Sequence, residues 1–258
     1  MRRTAAALVT ALLLVTACGD DDDTATSTGT TDTSETTETT ADTTPSTEAT
    51  SPTTAAGDPG EPAGERIEIF PYEDAALAVV GVAADDTLNV RSVPGTGGDV
   101  VAELDPLADG LTATGHNRQL DDGAIWAEID TGETTGWVNT AYVAQVGTTD
   151  DATARLYPEL DDRPVADTLV QLAEQVGGDA FGGEEGVGPE PRIVVVDGPT
   201  VGDLGEVTVD VLDLPDDAVL GERLKIFAEE KGGESFRLRT VESTTLCRRG
   251  VTDEGLCV

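Results

Sequence analysis

Short apolar runs separated by glycine-rich turns fill residues 76–144, and this pattern most restricts how the chain can fold. Leu88 and Val90 alternate with polar neighbours, which is the period of a half-buried strand. Pro94-Gly95, soon followed by a Gly-Gly pair, marks a tight turn. Similar runs lie at 76–82, 100–104, 111–114, 124–129 and 136–139. Short strands at such close spacing predict a small β-barrel or sandwich.

The last hundred residues show a different pattern, in which one helix precedes several strands. Asp161-Asp162 and Pro164 predict a helix start, and Gly177-Gly178 predicts its end. Apolar residues at helical spacing between them predict a core-facing stripe: Val165, Leu169, Leu172 and Val176. Strands are predicted at 193–196, 207–212, 224–229 and 236–239, with a hairpin turn at 231–234. Residues 150–258 therefore predict an α+β domain, and the whole chain a mainly β protein.

The charge balance excludes several classes of function. The chain carries 15 Lys and Arg against 51 Asp and Glu, for a net charge of -36. Nucleic acids and anionic lipid surfaces are therefore not expected as partners, because both are bound largely through basic side chains. The single histidine, His116, is expected to be a solvated residue of a polar loop at 115–123. One histidine in such a loop argues against most Ser-His-Asp and Cys-His catalysis and against a multi-histidine metal site. We expect no cofactor, no metal and no catalytic residue.

A long acidic segment precedes the apolar runs. Residues 19–64 contain eleven acidic residues, no Lys or Arg and no aromatic residue, and sixteen threonines lie between Thr24 and Thr54. Such a composition cannot bury enough apolar area to offset chain entropy. Residues 18–65 are therefore predicted to be a disordered tether.

The N-terminus has the features of an export signal. Two arginines precede an uncharged stretch, Thr4 to Ala17, which as a helix would reach only about 21 Å and is too short to span a bilayer. The sequence Val15-Thr16-Ala17-Cys18 resembles the lipobox of bacterial lipoproteins. The resemblance implies cleavage after residue 17, lipidation of Cys18 and a membrane anchor outside the cytoplasm. The alternative is an ordinary signal peptide with an unrelated cysteine.

Two cysteines remain if Cys18 carries lipid. Cys247 and Cys257 can then form a disulfide, which would persist in an oxidising compartment. A metal site is the alternative, but two cysteines without histidine are too few ligands for zinc.

Two motifs in the apolar-run region resemble the bacterial SH3 (SH3b) family. These are LNVRSVPG at residues 88–95 and, about forty residues later, TGWVNTAYV at 135–143, with Val93 where the family usually has glycine. The resemblance implies an SH3-like barrel over residues 66–146. It also implies a module that binds peptidoglycan peptides or glycans.

Three residues are candidates for ligand contact in this module. Trp126 neighbours the predicted loop, Tyr142 can line the same face, and Arg91 can pair with a carboxylate. Trp137, in the Gly-Trp-Val motif, is instead expected to pack in the barrel core. We expect a non-enzymatic envelope lipoprotein that binds the cell wall. The alternatives are a sensor or inhibitor of an extracytoplasmic protein and, less favoured, a carboxylate-based hydrolase.

Overall fold

The computed structural model describes residues 61–181 and 191–258 as a mainly antiparallel β protein, which confirms the fold class predicted at that level. Two α-helices are present in these residues, α1 at Thr153–Leu156 and α2 at Leu169–Phe181. The strands are β1 Glu65–Ile67, β2 Ala76–Val79, β3 Leu88–Arg91, β4 Val100–Leu104, β5 Leu111–Gln119, β6 Ile125–Asp130, β7 Thr135–Asn139, β8 Val143–Asp151, β9 Val165–Ala166, β10 Arg192–Val201, β11 Gly205–Leu212, β12 Val219–Lys231 and β13 Ser235–Cys247.

One hydrogen-bonded path connects nearly all of the described strands. Its order is β10-β11-β12-β13-β8-β2-β5-β6-β7-β3-β4, with β1 paired to β5 and β9 paired to β13. The path ends at β4 and β10 and does not return on itself. The described residues therefore do not confirm the closed small barrel predicted for residues 66–146.

The first core lies between the strands of the N-terminal half. Leu88 and Val90 face inward while their neighbours Asn89 and Arg91 are partly exposed, as the alternation predicts. Val79, Ile129 and Val138 complete the centre of this core and are fully buried.

The second core lies between α2 and the sheet of β10 to β13. Leu169, Leu172 and Val176 form the buried stripe of α2, so their predicted core role is confirmed. They share one cluster with Val207 and Val209 of β11. Burial of this apolar surface is the main favourable contribution to folding here.

The predicted start of the helix is wrong. Residues 160–162 form only a short 3₁₀ turn, and Val165 lies in β9, which pairs with β13. Helix α2 begins at Leu169, where the hydroxyl of Thr168 accepts the backbone N–H of Gln171 at 3.1 Å. Thr168 therefore caps the helix in place of the predicted start at Asp161-Asp162 and Pro164. The residues that follow Pro164 instead form β9, which pairs with β13.

The predicted stop at Gly177-Gly178 is also wrong, because both glycines lie inside α2, which extends to Phe181. A glycine in a helix costs only about 1 kcal/mol relative to alanine, so it does not by itself end one. Gly177 is buried, and a Cβ there would lie 3.1 Å from the Cδ1 atom of Ile193. The missing side chain therefore lets the helix pack closely on β10.

The two halves share one strand and one small core. β8 pairs with β2 on one side and with β13 on the other, and the predicted boundary at 147–149 falls inside this strand. Val80, Ala144, Leu212 and Leu246 form a third buried cluster at this junction. Sheet and core are thus continuous across the expected boundary, and the described residues belong to one compact unit.

Candidate functional site

One face of the N-terminal sheet carries both tryptophans. Ala127 of β6 is paired directly with Val138 of β7, and both are buried. Val138 belongs to the first core, so this pair marks the core-facing side of the sheet. Successive residues of a strand point to opposite faces, so Trp126 and Trp137 lie on the other face. Trp137 is only 4% exposed, so it is buried as the sequence motif predicted, although it lies outside the first core cluster.

A cavity of about 520 Å³ opens on this face and brings together all three residues predicted to contact ligand. Arg91, Trp126 and Tyr142 line it from β3, from β6 and from the 3₁₀ turn that follows β7. Polar side chains complete much of the remaining wall: Asp86, Thr87, Asn89, Thr96 and Asn139. We name this cavity the aromatic cleft.

Arg91 holds the turn between β3 and β4. Its Nη1 atom donates to the backbone oxygens of Gly98 at 2.9 Å and Thr96 at 3.2 Å. No carboxylate of the described residues lies within ion-pairing distance of it. The guanidinium is therefore positioned by the turn, and its charge is available to a ligand carboxylate.

Trp126 and Tyr142 contribute different kinds of surface. Trp126 is 5% exposed, and its indole Nε1 has no hydrogen-bond partner in the structure. Tyr142 is 38% exposed and follows Asn139, whose side chain caps the turn by accepting the N–H of Ala141 at 2.9 Å. The cleft thus combines the largely buried ring of Trp126 with the accessible phenol ring of Tyr142, and aromatic walls of this kind suit a ligand that is partly apolar and partly polar.

The charged groups of the aromatic cleft are few and of both signs. Of the described residues, Asp86 supplies the single carboxylate in the wall, and its Oδ1 accepts the N–H of Thr87 at 2.8 Å. Arg91 is the single lining guanidinium, and Asn89 and Asn139 add two amides. Such a wall can bind a peptide or a sugar through directed hydrogen bonds, with little net charge selection.

Sequence reasoning missed one wall of the cleft. Val194 of β10 lines it together with Gly81 and Val82 from the segment after β2. The backbone N–H of Ala84 donates to the oxygen of Val195 at 2.9 Å and holds this segment against β10. No feature of the sequence predicts this wall, because the contact joins residues that are more than a hundred positions apart in the chain.

His116 does not lie in a polar loop as predicted. It lies in β5, and its Nδ1 is 2.7 Å from the Oε2 atom of Glu128 on β6. The apolar pattern breaks after Thr114, but a register shift between Ala113 and Asn117 lets the strand continue through polar residues. In residues 61–181 and 191–258, no group of three or more His, Cys, Asp or Glu side chains is placed to hold a metal ion.

The cysteine predictions fall into two groups. Cys247 and Cys257 have their sulfur atoms 1.94 Å apart, which is disulfide distance. Cys18, the signal segment 1–17 and the tether up to residue 60 lie outside the described residues. Among the helices that the structure does describe, none has both the length and the apolar character to cross a membrane.

Together these residues define a mainly antiparallel β protein with an arginine- and tryptophan-lined cleft on one sheet. Searches against known protein families, curated proteins and solved structures find no match for this chain.

Proposed function

We propose that this protein is a lipid-anchored protein of the extracytoplasmic envelope that binds cell-wall peptide or glycan in the aromatic cleft. The observation that carries the proposal is the cleft itself, since Arg91, Trp126 and Tyr142 line one cavity. The N-terminal half would act as the SH3-like module. Its role is binding without catalysis, and no cofactor is needed for it.

The SH3-like assignment has local support in both motifs. The LNVR segment forms β3, and the following turn is fixed by the Arg91 side chain. The GWVN segment lies in β7, and Trp137 is the cross-strand partner of Arg91. The two halves of the family motif thus come from separate parts of the chain and are adjacent in the sheet.

The charge of the chain favours some wall ligands over others. A net charge of -36 repels polyanionic polymers. A stem peptide or a glycan, with few charges per unit, fits the mixed polar wall of the cleft better. The acidic segment at residues 18–65 would then separate the folded part from the lipid anchor.

Cosedimentation with purified sacculi tests the cleft. Tyr142→Ala and Asn89→Ala remove accessible contacts and should each lower the bound fraction severalfold. Tyr72→Ala is the matched control, because Tyr72 is 60% exposed and does not line the cleft. Equal sedimentation of all four proteins would reject the cleft as the wall-binding site, and a zymogram on the same sacculi tests the absence of hydrolysis.

The anchor has a separate test. Mass spectrometry of the mature protein should find a diacylglyceryl-modified Cys18 at the N-terminus, and Cys18→Ser should release the protein from the membrane. An unmodified Cys18 or a mature N-terminus elsewhere would contradict the lipid anchor. Neither result would affect the proposal that the aromatic cleft binds the wall ligand.

A protein partner is the second candidate, favoured by one observation at the sheet end. Among the strands that the structure describes, β4 pairs only with β3. It exposes Val100 and Val101, and Val93 is exposed in the preceding turn. An open, apolar edge strand is a template for strand addition by another protein. Val101→Lys should abolish capture of such a partner from an envelope extract and leave sacculus binding unchanged.

A further inference from the structure

Two opposite charges line the aromatic cleft, and neither is neutralised within the part of the chain that the structure describes. Asp86 and Arg91 both lie in the wall of the cleft. The ion pairs of the described residues include neither of them, so they pair neither with each other nor with a third group. A ligand that carries both missing partners would therefore make two charge-assisted contacts in this cleft.

Arg91 presents to the cleft the edge of its guanidinium that suits a carboxylate. The turn after β3 uses Nη1, which donates to the backbone oxygens of Thr96 and Gly98. Nε and Nη2 have no hydrogen-bond partner among the described residues, and neither belongs to the buried side-chain atoms that lack one. Both atoms are therefore accessible, and their parallel N–H bonds can hold the two oxygens of one carboxylate.

Asp86 has an oxygen that is free to accept from a cation. The residue is exposed, and its Oδ1 accepts the N–H of Thr87 at 2.8 Å. Its Oδ2 accepts no hydrogen bond from the residues that the structure describes. The bond to Thr87 restrains the carboxylate, so Oδ2 can accept an N–H of an ammonium group.

The two charges lie at opposite ends of β3. Arg91 is the last residue of this strand, which begins at Leu88, and Asp86 precedes the strand. At roughly 3.3 Å per residue the strand alone covers about 10 Å. The ammonium and carboxylate groups of a single amino acid are attached to one carbon atom, so they cannot reach both charges. An extended peptide of about three residues covers the same length as the strand.

The wall between the two charges can bind a peptide backbone. Asn89 lies two positions before Arg91 and therefore on the same face of β3, and Asn139 of β7 adds a second amide. Both polar atoms of Asn89 and the Nδ2 of Asn139 lack a partner among the described residues, and none of these atoms is buried. Asn89 can thus donate to a peptide carbonyl and accept a peptide N–H, and Asn139 can donate. The accessible ring of Tyr142 adds an apolar surface for a side chain.

We propose that the aromatic cleft binds a short extended peptide that carries an ammonium group at the Asp86 end and a carboxylate at the Arg91 end. The middle of the peptide hydrogen-bonds to Asn89 and Asn139. A neutral glycan would leave both charges of the cleft without a partner, so the ligand is the peptide and not the glycan. This inference rests on the proposed function, because it names the ligand class of the same cleft.

Four versions of one peptide separate the two ends. Trialanine carries both charges, N-acetyl-trialanine lacks the ammonium, trialanine amide lacks the carboxylate, and the N-acetylated amide lacks both. Each is titrated into the ¹⁵N-labelled full-length chain and followed by two-dimensional NMR. The buffer contains about 0.15 M salt, which screens the long-range attraction of cations to a chain of net charge -36.

The peptide with both charges should bind most tightly. We expect saturable shifts at Asn89 and Arg91 with trialanine and about tenfold weaker binding of each singly blocked peptide, because one charge-assisted contact is lost. The doubly blocked peptide should bind most weakly. Free alanine should also bind at least about tenfold more weakly than trialanine, because it cannot span β3.

Variants of the two charges should each affect only the peptides that carry the matching end. Asp86→Asn keeps an oxygen for the N–H of Thr87, and it should weaken trialanine about tenfold but leave N-acetyl-trialanine unchanged. Asp85→Asn is the matched control, because it makes the same charge change at an exposed neighbour that does not line the cleft. Arg91→Gln should weaken trialanine and leave trialanine amide unchanged. The dispersion of each variant's spectrum reports whether the variant is folded.

Several outcomes would overturn the two-ended site. These are equal affinity for the four peptides, equal effects of Asp86→Asn and Asp85→Asn, or an affinity for free alanine that equals that for trialanine. Tighter binding of N,N′-diacetylchitobiose than of trialanine would assign the cleft to a glycan instead.

Cosedimentation with sacculi keeps this inference distinct from the proposed function. Trialanine binding without sacculus binding would retain the peptide site and reject the wall as its source. Sacculus binding that falls in Tyr142→Ala but not in Asp86→Asn would retain the wall-binding cleft and reject the two-ended peptide.

Discussion

Asp210 and Arg223 form a bidentate ion pair in which the carboxylate is completely buried. Oδ1 of Asp210 accepts from Nε at 2.7 Å, and Oδ2 accepts from Nη2 at 2.9 Å. The pair also reaches the N-terminal half, because Oδ2 accepts the N–H of Gly81 at 2.8 Å and Nη2 donates to the oxygen of Val79 at 2.8 Å. These four bonds satisfy the buried charges and connect β11 and β12 to the segment that lines the aromatic cleft.

Breaking this pair from one side should be strongly destabilising. Arg223→Met leaves the Asp210 carboxylate buried without a cation, and we expect the free energy of unfolding to fall by about 3–5 kcal/mol. Asp210→Asn combined with Arg223→Met removes both charges and keeps an acceptor for the N–H of Gly81. The double variant should therefore be more stable than Arg223→Met alone in urea unfolding. A double variant as unstable as the single one would contradict this account.

The two glycines of α2 should respond differently to alanine. Gly178 is exposed with open space around it, so Gly178→Ala should raise the free energy of unfolding by up to about 1 kcal/mol through helix propensity. A Cβ on Gly177 would crowd Ile193 and Val211. Gly177→Ala should therefore be at least about 1 kcal/mol less stable than Gly178→Ala. Thermal unfolding of the two variants makes the comparison, and equal stabilities would contradict the close packing.

Asp216 should make stability depend on pH in the acidic range. The backbone N–H groups of Val219 and Ala218 hydrogen-bond its carboxylate and hold the pKa of Asp216 below its ordinary value of 3.8. A carboxyl with a lowered pKa stabilises the fold above 3.8, and this contribution disappears as the pH falls through the lowered pKa.

Comparison with Asp216→Asn isolates that contribution, because the amide oxygen can still accept both hydrogen bonds. The wild-type protein should be more stable than the variant at about pH 7, and the difference should be smaller at about pH 2. Urea unfolding at both pH values measures it. If the wild-type protein and the variant differ in stability by the same amount at both pH values, the carboxylate charge is excluded as the origin of the difference.

The bond between Cys247 and Cys257 should stabilise the C-terminal loop and the fold together. Ten positions separate the two residues along the chain, and closing a loop of this length contributes roughly 2–3 kcal/mol in the chain-entropy model. Reductant should lower the urea midpoint of the wild-type protein accordingly. The double variant Cys247→Ser with Cys257→Ser should already unfold at the lower midpoint and should not respond to reductant. A wild-type midpoint unaffected by reductant, with both thiols shown to be free, would reject this contribution.

The local patterns in the sequence predicted the strands well, because each pattern reports directly which side of a strand is buried. Leu88 and Val90 face the first core, and the hairpin glycines Gly232 and Gly233 both have positive φ, as a tight turn between β12 and β13 requires. The start of α2 was not predictable in this way. The segment around Val165 has the apolar spacing of a helix, yet its pairing with β13 makes it a strand.

The sequence by itself determined the mainly β class and the apolar faces of the strands, since these depend on side-chain type and short-range periodicity. It also singled out Arg91, Trp126 and Tyr142, which the structure places together on the wall of the aromatic cleft. Only the tertiary structure decided that β8 joins both halves, that Val194 closes the cleft, and that Arg66 lies opposite Arg118. These relationships depend on strand register and on contacts between distant segments. A one-residue change in register would turn each of these side chains to the other face of the sheet, and local sequence patterns do not fix register.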